Sequence, residues 1–185
     1  MVINYVTKNY AKAESARQFF ENFGIEINQI KMDTVEIQSD KIEEIAKFSA
    51  EYASKKLNLP VLKNDTGFFV EALDGFPGAY SHFVEDKIGY EGLLKLMEGR
   101  ENRKAHFLEV FALSFQNGET KLFTCKTYGT LALTGQGDFG WGWDHIFIPD
   151  GETNVLACFD DAERFKKWNN DGFNQILNYL KNEIM

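Results

Sequence analysis

Pro60-Val61-Leu62-Lys63-Asn64-Asp65-Thr66-Gly67-Phe68-Phe69-Val70, continuing as Glu71-Ala72-Leu73-Asp74-Gly75-Phe76-Pro77-Gly78-Ala79-Tyr80-Ser81, is the stretch on which the reading of this chain turns. Two apolar runs, Pro60–Leu62 and Phe68–Val70, flank Asp65 and a Thr66-Gly67 step, and the stretch closes on Gly75-Phe76-Pro77-Gly78. Two readings fit. In one, the stretch is a hairpin whose Asp65 caps the turn, because short acidic side chains bond their own backbone two residues on. In the other, a carboxylate at the mouth of a strand holds a metal ion or activates water. Taken locally, the turn cap is the simpler reading, and the choice rests on what the rest of the chain places beside it.

Upstream, Val2–Val6 is short and β-rich and reads as a buried first strand. Thr7-Lys8-Asn9 supplies a turn and a helix cap, and Ala16, Phe19, Phe20 and Phe23 recur at helical spacing over Ala11–Phe23 until Gly24 stops the helix. Such a strand–loop–helix opening aims backbone amides, Asn9 and Lys12 at one point, an arrangement able to hold an anion; a lysine beside such a loop is also ordinary on any α/β surface. Ile25–Ile30 alternates as a second strand. Asp33–Gln38 reads as extended or irregular, with Glu36 either a functional acid or a solvated loop charge. Ile42, Ile45, Ala46, Ser49, Ala50 and Ala53 form one face of a helix over Ile42–Leu57.

Downstream, Glu91–Met97 reads as a short helix. Ala105–Phe115 and Lys121–Tyr128 read as strands joined by an Asn117-Gly118 turn, with Gly129–Leu133 continuing extended. Gly135, Gly137, Gly140 and Gly142 then interleave with Phe139, Trp141 and Trp143, ahead of Asp144. Glycine beside an indole leaves room for a flat ligand to stack, and Asp144 can accept hydrogen bonds from a base edge or an adjacent Lys. The equal alternative is a tight turn whose tryptophans anchor the core. Asp160–Met185 reads as helical, with Phe173, Ile176, Leu177 and Leu180 facing inward.

With 185 residues, 44% hydrophobic and 26% charged, the chain has the make-up of one ordinary folded domain, and its 17 Phe point to an aromatic core. A net charge of −8 speaks against sequence-blind binding to a nucleic-acid polymer or an anionic membrane. Cys125 and Cys158 lack metal-ligand spacing and fit a reducing compartment, and no segment reads as a signal peptide or a membrane span, so the expected location is cytoplasmic. His82, His106 and His145 lack zinc spacing. The fingerprints of serine hydrolases, P-loop NTPases and dinucleotide oxidoreductases do not occur. What remains is a Lys-bearing loop, two separated acids and an aromatic loop with an acid, a combination able to hold a nucleotide with Mg²⁺.

Four segments in order resemble the inosine/xanthosine triphosphate pyrophosphatases, the noncanonical purine NTP pyrophosphatases. Thr7-Lys8-Asn9-Tyr10-Ala11-Lys12 resembles their Thr/Ser-x-Asn-x-x-Lys phosphate loop, and Val35-Glu36-Ile37-Gln38 their Pro-Glu-Ile-Gln segment. Asn64–Phe68 through Gly75–Ser81 is similar to their Asp-Ser-Gly-Leu and Gly-x-Pro-Gly-x-Tyr-Ser run. Gly140–Phe147 is similar to Gly-Phe-Gly-Tyr/Trp-Asp-Pro-x-Phe. The resemblance implies an α/β fold with an elongated mixed β-sheet, flanking helices and two lobes around a central nucleotide cleft, spanning 1–185 as one domain and forming a homodimer. It implies hydrolysis of a nucleoside triphosphate to the monophosphate and pyrophosphate. On that pattern Thr7, Asn9 and Lys12 bind phosphates, Thr66 contacts the substrate, Glu36 and Asp65 hold Mg²⁺, Asp65 helps activate water, Trp141 stacks on the base, and Asp144 reads its edge or orients a neighbouring Lys. Lys12, Glu36 and Asp65 form the catalytic set.

Three departures qualify the match. Asn64 stands where a second acid is usual, and His145 where Pro is usual. The C-terminal Lys-x-x-x-Ser-His-Arg falls, without a gap, on Arg164 and Trp168-Asn169-Asn170. Arg164 keeps the charge of its position, whereas Asn169 and Asn170 replace the charged donors expected to read the 6-keto group with amides that donate or accept, so the expected base preference differs from that of the family. The rival expectation is a nucleotide-binding or regulatory protein that has lost catalysis.

Overall fold

A computed structural model of the chain describes residues 1–183. The elements run β1 (Val2–Val6), α1 (Tyr10–Glu21), β2 (Glu26–Ile30), α2 (Ile42–Leu57), β3 (Val61–Val70), β4 (Pro77–Gly78), α3 (Ser81–Leu96), β5 (Lys104–Ser114), β6 (Thr120–Leu131), β7 (Phe147–Pro149), α4 (Asp161–Lys167) and α5 (Asp171–Glu183). The strands form one mixed sheet in the order β2-β1-β3-β5-β6-β7, with β4 paired to β3. β1 is parallel to β2 and β3, with Tyr5 opposite Leu62, whereas β3–β4 and β6–β7 are antiparallel. The mixed α/β class expected from the sequence is the class observed.

The chain divides into two compact units. Unit 1 holds Met1–Asp65, Glu109–Cys125 and the C-terminal segment from Asn170; unit 2 holds Thr66–Leu108 and Lys126–Asn169. The boundaries fall inside β3, β5 and β6. Unit 1 is organised around Tyr5, Phe20, Leu62, Phe111, Phe173 and Ile176, with a smaller cluster of Val6, Ala53 and Val61. Unit 2 is organised around Phe68, Leu93, Phe107, Trp143, Phe147 and Leu156. The phenylalanines are thus shared between two cores, and each core is closed by ring-on-ring contacts such as Phe20–Phe173 at 5.4 Å and Phe68–Phe107 at 4.6 Å.

α2 has the bounds its periodicity predicts. Glu43 and Glu44 occupy its first turn, Lys55 and Lys56 its last, and left-handed Asn58 (φ 54°) ends it. Three sequence expectations change. Pro60–Val70 is not a hairpin: β3 passes straight through Thr66-Gly67, and the chain reverses at Asp74-Gly75, where consecutive residues have φ of 51° and 85°. The helix expected at Glu91–Met97 begins ten residues earlier, at Ser81, and carries a non-helical break at Gly89 (φ 62°, ψ −176°). The C-terminal helix is two helices, α4 and α5, separated at Trp168–Asn170. The last two residues of the expected helix, Ile184 and Met185, lie outside the described residues.

Candidate active site

In unit 1 the loop after β1 is shaped by its own side chains. Thr7 Oγ1 accepts from the Asn9 N–H (3.1 Å), and Asn9 Oδ1 accepts from the Lys12 N–H (3.2 Å) as the N-cap of α1. Asn9 therefore builds the helix start, and Lys8 of the same loop pairs with Asp33. Lys12, in the first turn of α1, acts electrostatically on both Lys63 and Glu109.

Lys63 ties the acids together. It lies two positions before Asp65 on β3, so alternation puts both on one face of the strand. Its Nζ is 3.9 Å from Glu36 Oε1, and its side chain is 13% exposed while that of Glu36 is 65% exposed. Burial lowers the Lys63 pKa and the Glu36 charge opposes the shift; the Lys12 charge adds to the lowering and the Asp65 charge opposes it. Lys12, Glu36 and Asp65, far apart in sequence, thus all act electrostatically on one lysine. Lys63 escaped the sequence reading, although its i−2 spacing from Asp65 was the available signal. Glu36 and Asp65 offer only carboxylate oxygens, the donor type a hard Mg²⁺ takes, and Lys63 is the cation that balances them.

Asn64 points to the other face. It is 6% exposed, accepts from the Tyr5 hydroxyl at Oδ1 (2.7 Å) and donates through Nδ2 to Glu109 Oε1 (3.4 Å). Glu109 Oε2 faces the Cys125 thiol at 3.9 Å. Burial raises the Glu109 pKa against the opposing pull of Lys12, and burial pushes the Cys125 thiol up to about 12. Glu109 was also missed. Its signal is a lone acid in the otherwise apolar Phe107–Leu113 run of β5.

In unit 2 the two tryptophans of the glycine loop divide their roles. Trp143 is 2% exposed and stacks on Phe68 (5.4 Å, 17° between planes), whereas Trp141 is 52% exposed. Trp143 is therefore the core anchor of the second alternative, whereas Trp141 leaves its ring accessible. Asp144 is buried; its Oδ2 accepts from the Trp141 N–H (3.2 Å) and lies 3.6 Å from Arg164 Nε. Burial raises the Asp144 pKa to about 6, against the opposing Trp141 hydrogen bond and Arg164 charge. Gly140 (φ 72°) crosses so close to Asp144 that a Cβ there would run into the carboxylate. Arg164 pairs also with Asp161, and among the described residues its NH1 and the Trp143 Nε1 are buried donors with no hydrogen-bond partner.

The remaining expected residues are placed differently. Thr66 sits within β3 rather than on a turn. Asn169 donates through its side-chain amide to the Lys126 carbonyl (3.0 Å), and its backbone N–H donates to Thr127 Oγ1 (3.0 Å). The Asn170 carbonyl, which belongs to unit 1, accepts from the Phe173 and Asn174 N–H groups (3.1 and 3.2 Å) where α5 starts. Both positions that replace the charged donors thus carry backbone-organising contacts. His82, Glu85 and Asp86 bring ligand atoms within 4.8 Å of one another on one turn of α3. Reading the histidines alone missed this group because its other members are acids.

The sequence model of the Ham1 family matches residues 3–167. A protein of Thermococcus kodakarensis named dITP/XTP pyrophosphatase is 40% identical over 185 residues, covering 100% of both chains. One of the same name from Methanopyrus kandleri is 43% identical over 166 residues, covering 90% of this chain and 88% of its own. Among solved structures, the Ham1 protein of Staphylococcus aureus superposes with a TM-score of 0.81 at 26% identity, covering 99% of this chain and 100% of its own. A HAM1 protein of Coxiella burnetii shares the fold, with a TM-score of 0.86 at 22% identity and 98% of each chain covered.

Proposed function

Because the chain belongs to the Ham1 family, we propose that it is a nucleoside-triphosphate pyrophosphatase acting on noncanonical purine nucleotides such as dITP, ITP and XTP. One water is consumed, the α–β phosphoanhydride bond opens, and a nucleoside monophosphate and pyrophosphate leave. The observation that carries this reading is that Lys12, Glu36 and Asp65 all act electrostatically on Lys63. Two cations able to face a triphosphate and two carboxylates able to hold a divalent ion and accept a proton are what anhydride hydrolysis needs.

Lys12 and Lys63 neutralise phosphate charge, and the Thr7–Asn9 loop presents the first amides of α1 to the anion. Glu36 and Asp65 would hold Mg²⁺, which would withdraw charge from the phosphate oxygens. Asp65 orients the attacking water and takes its proton; Thr66 follows as a phosphate-side contact. In unit 2, Trp141 offers its exposed face to the base, and Asp144 holds Arg164. With Asn169 and Asn170 engaged in backbone contacts, Arg164 is the one cation carried over at the base end. We therefore read the preference for 6-oxo purines as retained but narrowed. We also read 1–185 as one catalytic domain that works as a cytoplasmic homodimer.

The test is pyrophosphate release from a panel of NTPs and dNTPs with Mg²⁺, for wild type and Asp65→Asn. Expected are turnover of ITP, dITP and XTP, a margin over the 6-amino purine nucleotide ATP of about tenfold, and loss of about 100-fold or more in the variant. A margin of about 100-fold or more overturns the narrowed preference. Thermal stabilisation by nucleotides without any turnover indicates a chain that binds but no longer catalyses.

A further inference from the structure

We propose that Glu109 is a further positioning residue of the phosphate-end site: its carboxylate fixes the amide of Asn64, and its negative charge on β5 acts on Lys12. The proposal rests on the reading of unit 1 as a triphosphate site. Its basis is a linear set of contacts. The Tyr5 hydroxyl donates to Asn64 Oδ1 at 2.7 Å, and Asn64 Nδ2 then donates to Glu109 Oε1 at 3.4 Å. A carboxylate only accepts, so the amide nitrogen must face Glu109 and the amide oxygen must face Tyr5. Asn64 is thereby locked in one orientation, and it immediately precedes Asp65 on β3. The backbone from which Asp65 projects is held from the opposite face of the strand.

A structural role alone does not account for Glu109. Among the described residues no cation lies within ion-pair distance of it, and its two side-chain contacts, at 3.4 and 3.9 Å, are to neutral groups. Enclosing a carboxylate with such weak partners disfavours folding. Lys12 is the positive charge that acts on it, and burial has raised its pKa. An acid kept under those conditions beside a triphosphate-binding lysine is one whose charge serves the site.

The experiment compares wild type, Glu109→Gln and the double variant Asn64→Asp/Glu109→Gln, which returns a carboxylate to the same cluster from the neighbouring strand. For ITP with Mg²⁺, Glu109→Gln is expected to lower kcat about 10–100-fold, as outer-shell substitutions do. KM should stay equal or fall, because removing negative charge beside Lys12 strengthens its attraction for a triphosphate. Tm should hold or rise, and the double variant should recover most of kcat. A kcat within about twofold of wild type, a raised KM, or a loss the double variant fails to restore overturns the proposal. The thermal shift produced by inorganic tripolyphosphate with Mg²⁺ reads the same site without turnover. A shift in Glu109→Gln at least as large as in wild type, returning to the wild-type value in the double variant, supports the assignment; a smaller shift in Glu109→Gln overturns it. Absent turnover in wild type with these shifts intact contradicts the proposed activity while leaving the Glu109 assignment standing.

Discussion

Asp144 and the two indoles beside it show how one short segment divides between a buried core and an exposed surface. The Asp144 pKa lies at about 6, above an ordinary carboxyl, so the folded state holds its proton more tightly than the unfolded chain. The stability this contributes is fully present below the unfolded pKa and is lost as pH rises through about 6. At about 1.4 kcal/mol for each tenfold difference in proton affinity, the loss amounts to roughly 3 kcal/mol at most. Urea unfolding from about pH 4 to pH 8 should therefore show wild type losing stability relative to Asp144→Asn by up to that amount; parallel curves would contradict the burial argument. For the indoles, Trp141→Ala should leave Tm nearly unchanged and weaken nucleotide binding by about 1–3 kcal/mol. Trp143→Ala should destabilise by about 3–5 kcal/mol, because it empties a stacked position in the core. At this scale the sequence marks the motif residues by type and order. It does not mark Lys63 or Glu109, whose importance comes from neighbours on other strands.

At the level of elements, periodicity succeeds where one face of a helix is apolar and one is charged, as in α2. It fails in α3, where only Ser81, Val84 and Leu93 are buried and Gly89 interrupts the helix, leaving no repeating face to detect. It fails again at β3, because a Thr-Gly step looks like a turn unless its neighbours are known. Pairing with β4 and the hydrogen bond from the Phe68 N–H to Ser81 Oγ (2.6 Å) keep that backbone extended. α5 offers a test in which packing opposes propensity. Alanine favours a helix over glycine by about 1 kcal/mol, yet a Cβ at Gly172 would meet Phe111 Cε2 at 2.6 Å and Cys125 Sγ at 3.1 Å. Gly172→Ala should thus destabilise, by about 1–3 kcal/mol in chemical denaturation, since an overpacked core outweighs the gain in propensity.

For the molecule as a whole, the proposed homodimer should appear in light scattering as twice the 21.2 kDa chain mass, and a single-chain mass would refute it. Unit 2 leaves Phe76, Phe83 and Leu133 exposed, surface that a second copy is able to cover. The described residues contain no helix long and apolar enough to cross a membrane. The α/β class, most element positions and the four motif segments were legible in the linear chain, because these follow from local periodicity, capping chemistry and residue order. Three-dimensional packing was needed to establish that Pro60–Val70 is one strand, that Lys63 sits with Lys12, Glu36 and Asp65, and that Asn64 is held between Tyr5 and Glu109. Each of these depends on strands brought together from distant parts of the chain. Burial and electrostatic fields sum over neighbours in space, and no window of sequence contains them.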